Sequence, residues 1–410
     1  MANFIRLAYN LEVWKLIEVH KTTKKAISAH KLCGSGRFSN VYCGQMISPI
    51  EKEVAVKNVW SDTETRHLAT SEYPEIQILS KLFHPAISNL LYFYSRNAND
   101  KVINCLVLDY LPQDLARLRD QGVKFDVLDA KLYTFQLFCA ISHLTSKNIV
   151  HMDIKPQNVV MDRMAGRLKL ADFGNARRLE TNEKTGSAYQ VTRFYRPPEL
   201  LFGCEKFTAS IDIWSATCVA FELFANRVLF KGKDTKDQIV LITGVFGYPT
   251  DDDIKSIGVK RPRVARKDAR GIETVKIKEK TNKTKKEAKQ STLVHEKYTR
   301  ARAMSRSTEN KLAPFTSKML DSEIYDFMKA TLKIDPKKRK SAIDVLKMPL
   351  FDILRSSPPK KRSNGVEMPN LASYTEMHHK REPETEVVAD IQTTEKAEKE
   401  SDSTNEELED

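Results

Sequence analysis

The chain is 410 residues long, 41% hydrophobic, 8% aromatic and 30% charged, a composition that excludes fibrous and wholly disordered classes and allows a full-size core. Its formal net charge is +13, but residues 260–306 alone hold 17 Lys and Arg against 5 Asp and Glu. A basic excess concentrated in one segment does not by itself imply nucleic-acid binding.

The first 24 residues read as an N-terminal extension, broken by charges from Arg6 onward and lacking the apolar core of a signal peptide. The six cysteines, at 33, 43, 105, 139, 204 and 218, show no metal-type spacing and suit reduced thiols in cytosol or nucleus. Residues 27–60 alternate short apolar runs with polar turns, the pattern of a strand meander: ISAHKLCG, NVYCGQM, EVAVKNVW. Ile76, Leu79 and Leu82 predict a helix over 72–83, and CLVLDYL (105–111) predicts a buried strand that turns at Pro112. Beyond it the pattern turns helical, with Leu132, Phe135, Gln136 and Cys139 to Leu144 in one long amphipathic run. No apolar run reaches the roughly 18 residues of a membrane span; the most apolar stretch, 215–225, contains Glu222. A strand-rich N-lobe (about 25–109) and a larger helical C-lobe (about 113–354) predict one bilobed α+β fold. Two segments do not read as core: a charge-dense insertion over about 258–311, and a disordered tail over 355–410, basic and then acidic.

Four motifs carry chemistry. In GSGRFSNV (34–41), Gly34 and Gly36 let a hairpin backbone approach a polyphosphate, with Ser39 at the place of a third glycine. In VAVK (54–57) an alternating strand delivers Lys57 to one face. That lysine is either exposed on an edge strand or paired, and Glu75 on the following helix is the available partner. In HMDIKPQNVV (151–160), Asp153 can accept or orient a hydroxyl proton and Lys155 can neutralise charge on a transferred phosphoryl group. The strand Val159–Met161 and the return through Leu168 and Leu170 bring Asn158 and Asp172, of LKLADFG, to one end of a hairpin. An amide oxygen and a carboxylate there are hard ligands suited to magnesium.

Together these motifs resemble the protein-kinase signature set, and the resemblance covers about residues 25–354. SAYQVTRFYRPPE (187–199) is similar to an activation segment, and SIDIWS (210–215) to the helix whose aspartate, Asp212, braces the catalytic loop. Arg339 is then the implied partner of Glu199. Within kinases, LVLDYLP, KLYTFQLF, DIKPQN, LKLADFGNA, YRPPELLFG and SIDIWSA are similar to the glycogen synthase kinase 3 family of the CMGC group. The resemblance implies an ATP- and Mg-dependent serine/threonine kinase. Its ATP site would comprise Cys33, Gly34, Ser35, Gly36, Arg37, Phe38, Ser39, Asn40, Val41, Ala55, Lys57, Glu75, Asp109 and Leu111, the last two through the hinge backbone. Asp153 and Lys155 would be catalytic, Asn158 and Asp172 would hold the metal, and Tyr189, Thr192 and Arg196 would belong to the activation segment.

Departures from that family concern control. Its pocket of three basic residues for pre-phosphorylated substrates maps onto Pro74, Met152 and Arg177, of which Arg177 alone keeps a charge. Weak or absent preference for such substrates is therefore expected. Met152, in place of an arginine, either removes an anchor for the activation segment or fills an apolar gap beneath it. Pro74 requires the helix to begin near Ser71, because an interior proline would break it. The basic insertion suits a solvated loop or a docking site for an acidic protein, and its charge without interleaved aromatics is weak support for nucleic acid. A pseudokinase scaffold is the rival class, set against the complete catalytic set. Protein substrates, a monomeric state, no membrane contact and a location in cytoplasm or nucleus complete the expectations, PPKKR (358–362) being a candidate import signal.

Overall fold

The computed structural model describes residues 4–9, 14–19, 27–36, 39–46, 51–60, 72–98, 101–179, 191–259, 264–265, 274–275, 321–355 and 361–376. The predicted meander forms β3 (Ile27–Ser35), β4 (Ser39–Met46) and β5 (Lys52–Trp60), after β1 (Phe4–Tyr9) and β2 (Trp14–Val19) and before α1 (Pro74–Leu79), β6 (Leu90–Ala98) and β7 (Lys101–Asp109). These strands make one seven-stranded sheet in the order β2-β1-β6-β7-β5-β4-β3. The first residues are thus not a mere extension: β1 pairs with β2 and, through Ile5 and Arg6, adds to the edge of β6. Strand β7 ends at Asp109, so Tyr110 and Leu111 belong to the connection.

Helix α1 starts on Pro74 itself, not near Ser71. The first helical position costs a proline nothing, because that N–H would lack an intrahelical acceptor anyway and the fixed φ suits the helix. The six-residue helix buries Glu75, Ile76 and Leu79 against the sheet.

The C-lobe begins with β8 (Gln113–Asp114), α2 (Leu115–Asp120) and α3 (Val127–Ser146). Asp114 and Asp126 cap α2 and α3 by accepting the backbone N–H groups of Arg117 and Asp129. Helix α3 departs from the expected amphipathic pattern: 14 of its 20 residues are buried, including Thr134, Gln136 and His143. It is the central pillar of the lobe, packed by α5 (Ser210–Ala225), β11 (Arg167–Leu170) and β9 (Ile149–Val150); β10 (Val159–Asp162) pairs with β11, β12 (Arg177–Arg178) pairs with β9, and α4 (Pro198–Leu201) precedes α5. Helices α6 (Thr235–Phe246), α7 (Asp251–Ile257), α8 (Ser322–Thr331), α9 (Ala342–Val345) and α10 (Asp352–Arg355) close the lobe. Of the basic insertion, residues 258–259 and the paired dipeptides Val264–Ala265 and Thr274–Val275 are described, and the rest lies outside the described residues.

The expectation of a disordered tail from 355 needs correction. Residues 361–376 are ordered, end in α11 (Ala372–Glu376), and bury Arg362 and Tyr374 at 3% and 4% exposure. Three apolar anchors, Met368, Leu371 and Tyr374, join the main core, which offsets the chain entropy that a Pro- and Ser-rich composition suggests would dominate.

Candidate active site

Strand register builds the roof of the cleft between the lobes. Val41 pairs with Lys57 and Lys57 with Leu106; one row nearer the hinge, Cys43 pairs with Ala55 and Ala55 with Leu108. Alternation turns these residues to one face, and Ala55, Leu106 and Leu108 all join the main core from it. The β3–β4 hairpin closes with the Gly36 N–H donating to the Ser39 carbonyl at 2.7 Å. Arg37 and Phe38 at its tip lie outside the described residues, while Cys33, Gly34, Ser35, Ser39, Asn40 and Val41 are on the paired strands.

Lys57 is paired, not exposed. Its Nζ donates to Glu75 Oε1 and Oε2 at 2.7 and 2.8 Å and to Asp172 Oδ1 at 2.7 Å. Burial works against the Lys57 charge, but the two carboxylates outweigh it and hold its pKa above the ordinary value. In turn Lys57 holds the Asp172 carboxyl below the usual carboxylate range. Gly174 lies against this cluster: a Cβ there would make ordinary contacts, 3.4 Å from Asp172 Oδ1, 3.6 Å from Lys57 Nζ and 3.7 Å from Glu75 Oε2.

Beneath the roof, β10 and β11 pair Val159 with Leu170, as expected for the hairpin. The Ala171 N–H donates to the Asn158 carbonyl at 2.8 Å, which sets Asp172 beside Asn158. Asn158 Nδ2 donates to the Asp153 carbonyl at 2.8 Å, leaving the amide oxygen as the group free to act as a hard ligand. Asp153 is itself the hub of the loop: Thr192 Oγ1 donates to its Oδ1 at 2.8 Å and Lys155 Nζ to its Oδ2 at 2.5 Å. The buried Asp212 accepts the N–H groups of His151 and Met152 at 2.7 and 3.1 Å. Burial pushes the Asp212 carboxyl up to about 7, against those two hydrogen bonds. His151 accepts the Asp153 N–H on Nδ1 and donates from Nε2 to the Ala171 carbonyl; burial lowers its pKa and favours the neutral ring. Its edge meets Phe173 at 4.8 Å between ring centres.

Two non-glycine residues of this loop system take left-handed backbone, Met152 at φ 66° and Asp172 at φ 64°, a costly conformation that a well-determined surround maintains. Met152 is fully buried in an apolar cluster with Val150, Val191, Leu200, Phe207 and Ile211. Arg177 is exposed on β12, whose strand partner Val150 lies two residues from Met152, and Pro74 is exposed at the start of α1. Arg196 is buried and donates twice to the Val191 carbonyl, and Arg339 grips Glu199 through two bonds of 2.7 and 2.6 Å. Tyr189 lies outside the described residues.

The hinge holds a feature the sequence did not announce. Beyond any backbone role, the Asp109 side chain accepts from Lys52 at 2.8 Å, Lys169 at 2.9 Å and Asn89 Nδ2 at 2.9 Å. It therefore ties β5 and the residue that precedes β6 in one lobe to β11 of the other. The alternating Lys169 of LKLADFG, half-buried beside the hinge, was the available signal.

Comparison with known proteins accounts for this arrangement. The protein kinase domain matches residues 27–351. A Caenorhabditis elegans protein bearing the name of a serine/threonine-protein kinase, gskl-1, is 90% identical over 382 residues, 93% of this chain and 94% of that protein. Glycogen synthase kinase 1 of Pyricularia oryzae is 37% identical over 233 residues, 55% of this chain and 57% of its own length. Protein kinase gsk31 of Schizosaccharomyces pombe is 38% identical over 239 residues, 56% and 61% of the two lengths. The chain belongs to the protein kinase family, as a serine/threonine kinase of the glycogen synthase kinase-like kind.

Proposed function

We propose that the chain is a catalytically competent kinase that uses Mg-ATP and does not depend on pre-phosphorylated substrates. One observation carries this reading: Lys57, Glu75 and Asp172 close into a single ion cluster while Asp153, Lys155, Asn158 and Thr192 form a connected network below it. A retired enzyme has no physical need to keep both.

The donor set fits the cofactor. Asn158 and Asp172, at the adjoining ends of β10 and β11, offer two hard oxygen donors, and Asp172 is 46% exposed at its side chain while Lys57 is buried. Bound Mg-ATP supplies the phosphoryl group and the positive charge that screens it. Lys57, oriented by Glu75, holds the phosphates, and the Asp109–Leu111 backbone holds the base. Asp153 orients the acceptor hydroxyl and accepts its proton, Lys155 offsets charge gathering on the phosphoryl oxygens, and Thr192 fixes the Asp153 carboxylate. The bond between Thr192 and Asp153 also places the activation segment against the acceptor position, which suits serine and threonine.

The departure in substrate choice follows from burial. Met152 is enclosed and Pro74 carries no charge, so the phosphate pocket of the resembled family reduces to Arg177. Transfer of label from ATP to a generic basic protein tests the first half. Wild type should exceed Asp153→Asn and Asp172→Ala by at least about a hundredfold; equal rates would refute competence. Matched phosphorylated and unphosphorylated peptides test the second half. Similar kcat/KM is expected, and a hundredfold preference for the phosphorylated peptide would overturn it.

A further inference from the structure

Residues 361–376 lie beyond the matched kinase domain, which ends at 351, yet they are anchored as firmly as core. The Arg362 guanidinium is 1% exposed at its side chain. Nε and Nη2 donate to Asp129 Oδ1 and Oδ2 at 2.8 and 2.7 Å, Nη1 to the carbonyls of Arg163 and Met164 at 2.8 and 3.1 Å, and Nη2 also to the Tyr133 hydroxyl at 3.0 Å. A buried cation persists only when its donors are met in this way. The turn is shaped for it: Gly166 has φ 66°, and a Cβ there would come within 2.9 Å of Arg362 Nη1. Arg362 is also the last residue of PPKKR, so that run does not offer all its charge to a receptor.

Twelve residues later Tyr374 makes the second anchor. Its ring meets His84 edge-on at 5.9 Å, and its carbonyl lies 3.0 Å from His84 Nε2. From there the contacts run on to the hinge. The His84 N–H donates to Asn89 Oδ1 at 3.1 Å, and Asn89 Nδ2 donates to Asp109 Oδ2 at 2.9 Å. His84 also lies five residues past α1, the helix that delivers Glu75 to Lys57. The first anchor grips the turn between β10 and β11, the two strands whose opposite ends carry Asn158 and Asp172.

We propose that residues 361–376 are a strap that positions the β10–β11 hairpin and the hinge for phosphoryl transfer, with Arg362 and Tyr374 as its two positioning residues. This rests on the kinase reading above. The strap spans from the back of the catalytic hairpin to the α1–β6 connection and so couples the two lobes from behind the cleft. Neither residue touches a reacting atom; each acts through Asp129 and the 163–166 turn or through His84 and Asn89.

The test uses the full chain with Arg362→Ala, Arg362→Lys, Tyr374→Ala and, as control, Lys361→Ala, whose residue is exposed. Below the melting temperature of each variant, Arg362→Ala and Tyr374→Ala should lower kcat about tenfold or more with the peptide KM little changed. Arg362→Lys should fall between, since an ammonium cannot reproduce the two-pronged grip on Asp129, and Lys361→Ala should match wild type. Amide hydrogen exchange gives a readout independent of turnover. Arg362→Ala should accelerate exchange in the 163–170 hairpin, and Tyr374→Ala in α1 and residues 84–90. Wild-type kcat in both variants, or faster exchange confined to 361–376, would overturn the strap. If wild type itself transfers no phosphate, the kinase reading fails, and the exchange pattern alone decides the strap. Should Arg362→Ala not fold, Tyr374→Ala and Arg362→Lys decide it.

Discussion

Met152 packs with Val191 in one buried apolar cluster, so the residue before Asp153 meets the segment that carries Thr192 through packing rather than charge. Asp212 fixes the Met152 backbone from the other side, accepting its N–H at 3.1 Å. Of the two readings open in the sequence, the burial of Met152 among apolar side chains supports the one in which the methionine fills a gap.

Restoring arginine at this position should not restore family-like behaviour. Met152→Arg would bury a guanidinium among Val150, Val191, Leu200, Phe207 and Ile211, whose side chains offer it no acceptor, so the variant should lose about 3 kcal/mol or more of stability. Its kcat should fall as Val191 and Thr192 are displaced from Asp153. Urea unfolding and peptide kinetics check this. A stable variant with a new preference for phosphorylated peptides would show that packing is not what orders the segment.

Asp109 predicts a pH signature at the hinge. Burial raises its pKa, but Lys169 and Lys52 outweigh burial and bring it to about 2 from 3.8. The folded-state value is depressed, so the stabilisation is complete above the unfolded pKa and disappears as pH falls through about 2. It amounts to about 2 kcal/mol by linkage. Asp109→Asn should therefore be less stable than wild type at neutral pH, and the gap should close between about pH 4 and 2. A gap constant from pH 6 to 2 in urea titrations would contradict the clamp.

What the sequence disclosed and what it hid divide along physical lines. The Lys57–Glu75 pair was legible because a buried charge demands a partner and few candidates exist, whereas the Glu199–Arg339 pair was legible only through the resemblance to kinases. The β10–β11 hairpin was legible because period-two alternation flanks a short turn. Helix α3 was misjudged as amphipathic because its polar Thr134, Gln136 and His143 are buried; Gln136 supports the Gly166 turn by donating to its carbonyl at 2.7 Å. The strap was hidden because its anchors are few: Met368, Leu371 and Tyr374 recur every third residue over less than two helical turns, in a Pro- and Ser-rich stretch, and Arg362 stands six residues before them. Only the surface that receives them makes them core.

The cleft roof predicts thiol chemistry. Cys105, Cys139, Cys204 and Cys218 are buried, and burial pushes the thiols of Cys139 and Cys218 up. Cys33 and Cys43 are half-buried on the strands of the glycine-containing hairpin. Burial also raises Cys43, so its alkylation should be slow. Native protein with iodoacetamide should label Cys33 and Cys43 alone, and Mg-ATP should slow both. Labelling of the buried four first, or no protection by nucleotide, would argue against this face as the nucleotide roof.

Arg339 offers the sharpest stability test, because it is buried with a single carboxylate. Its guanidinium holds Glu199 at 2.7 and 2.6 Å, donates to the carbonyls of Lys333 and Ser210 at 2.9 Å, and lies 5.2 Å from the Trp214 ring centre. Glu199 is 2% exposed. Removing the arginine leaves that carboxylate buried without its cation, which costs about 3–5 kcal/mol. Removing both charges relieves the uncompensated one. Arg339→Ala should thus be less stable than the double variant Arg339→Met/Glu199→Gln, which keeps volume without net charge. Chemical denaturation of the two variants decides the matter. If the double variant is the less stable, the pair contributes net stability through its attraction, and the cost of Arg339→Ala is not that of a stranded carboxylate.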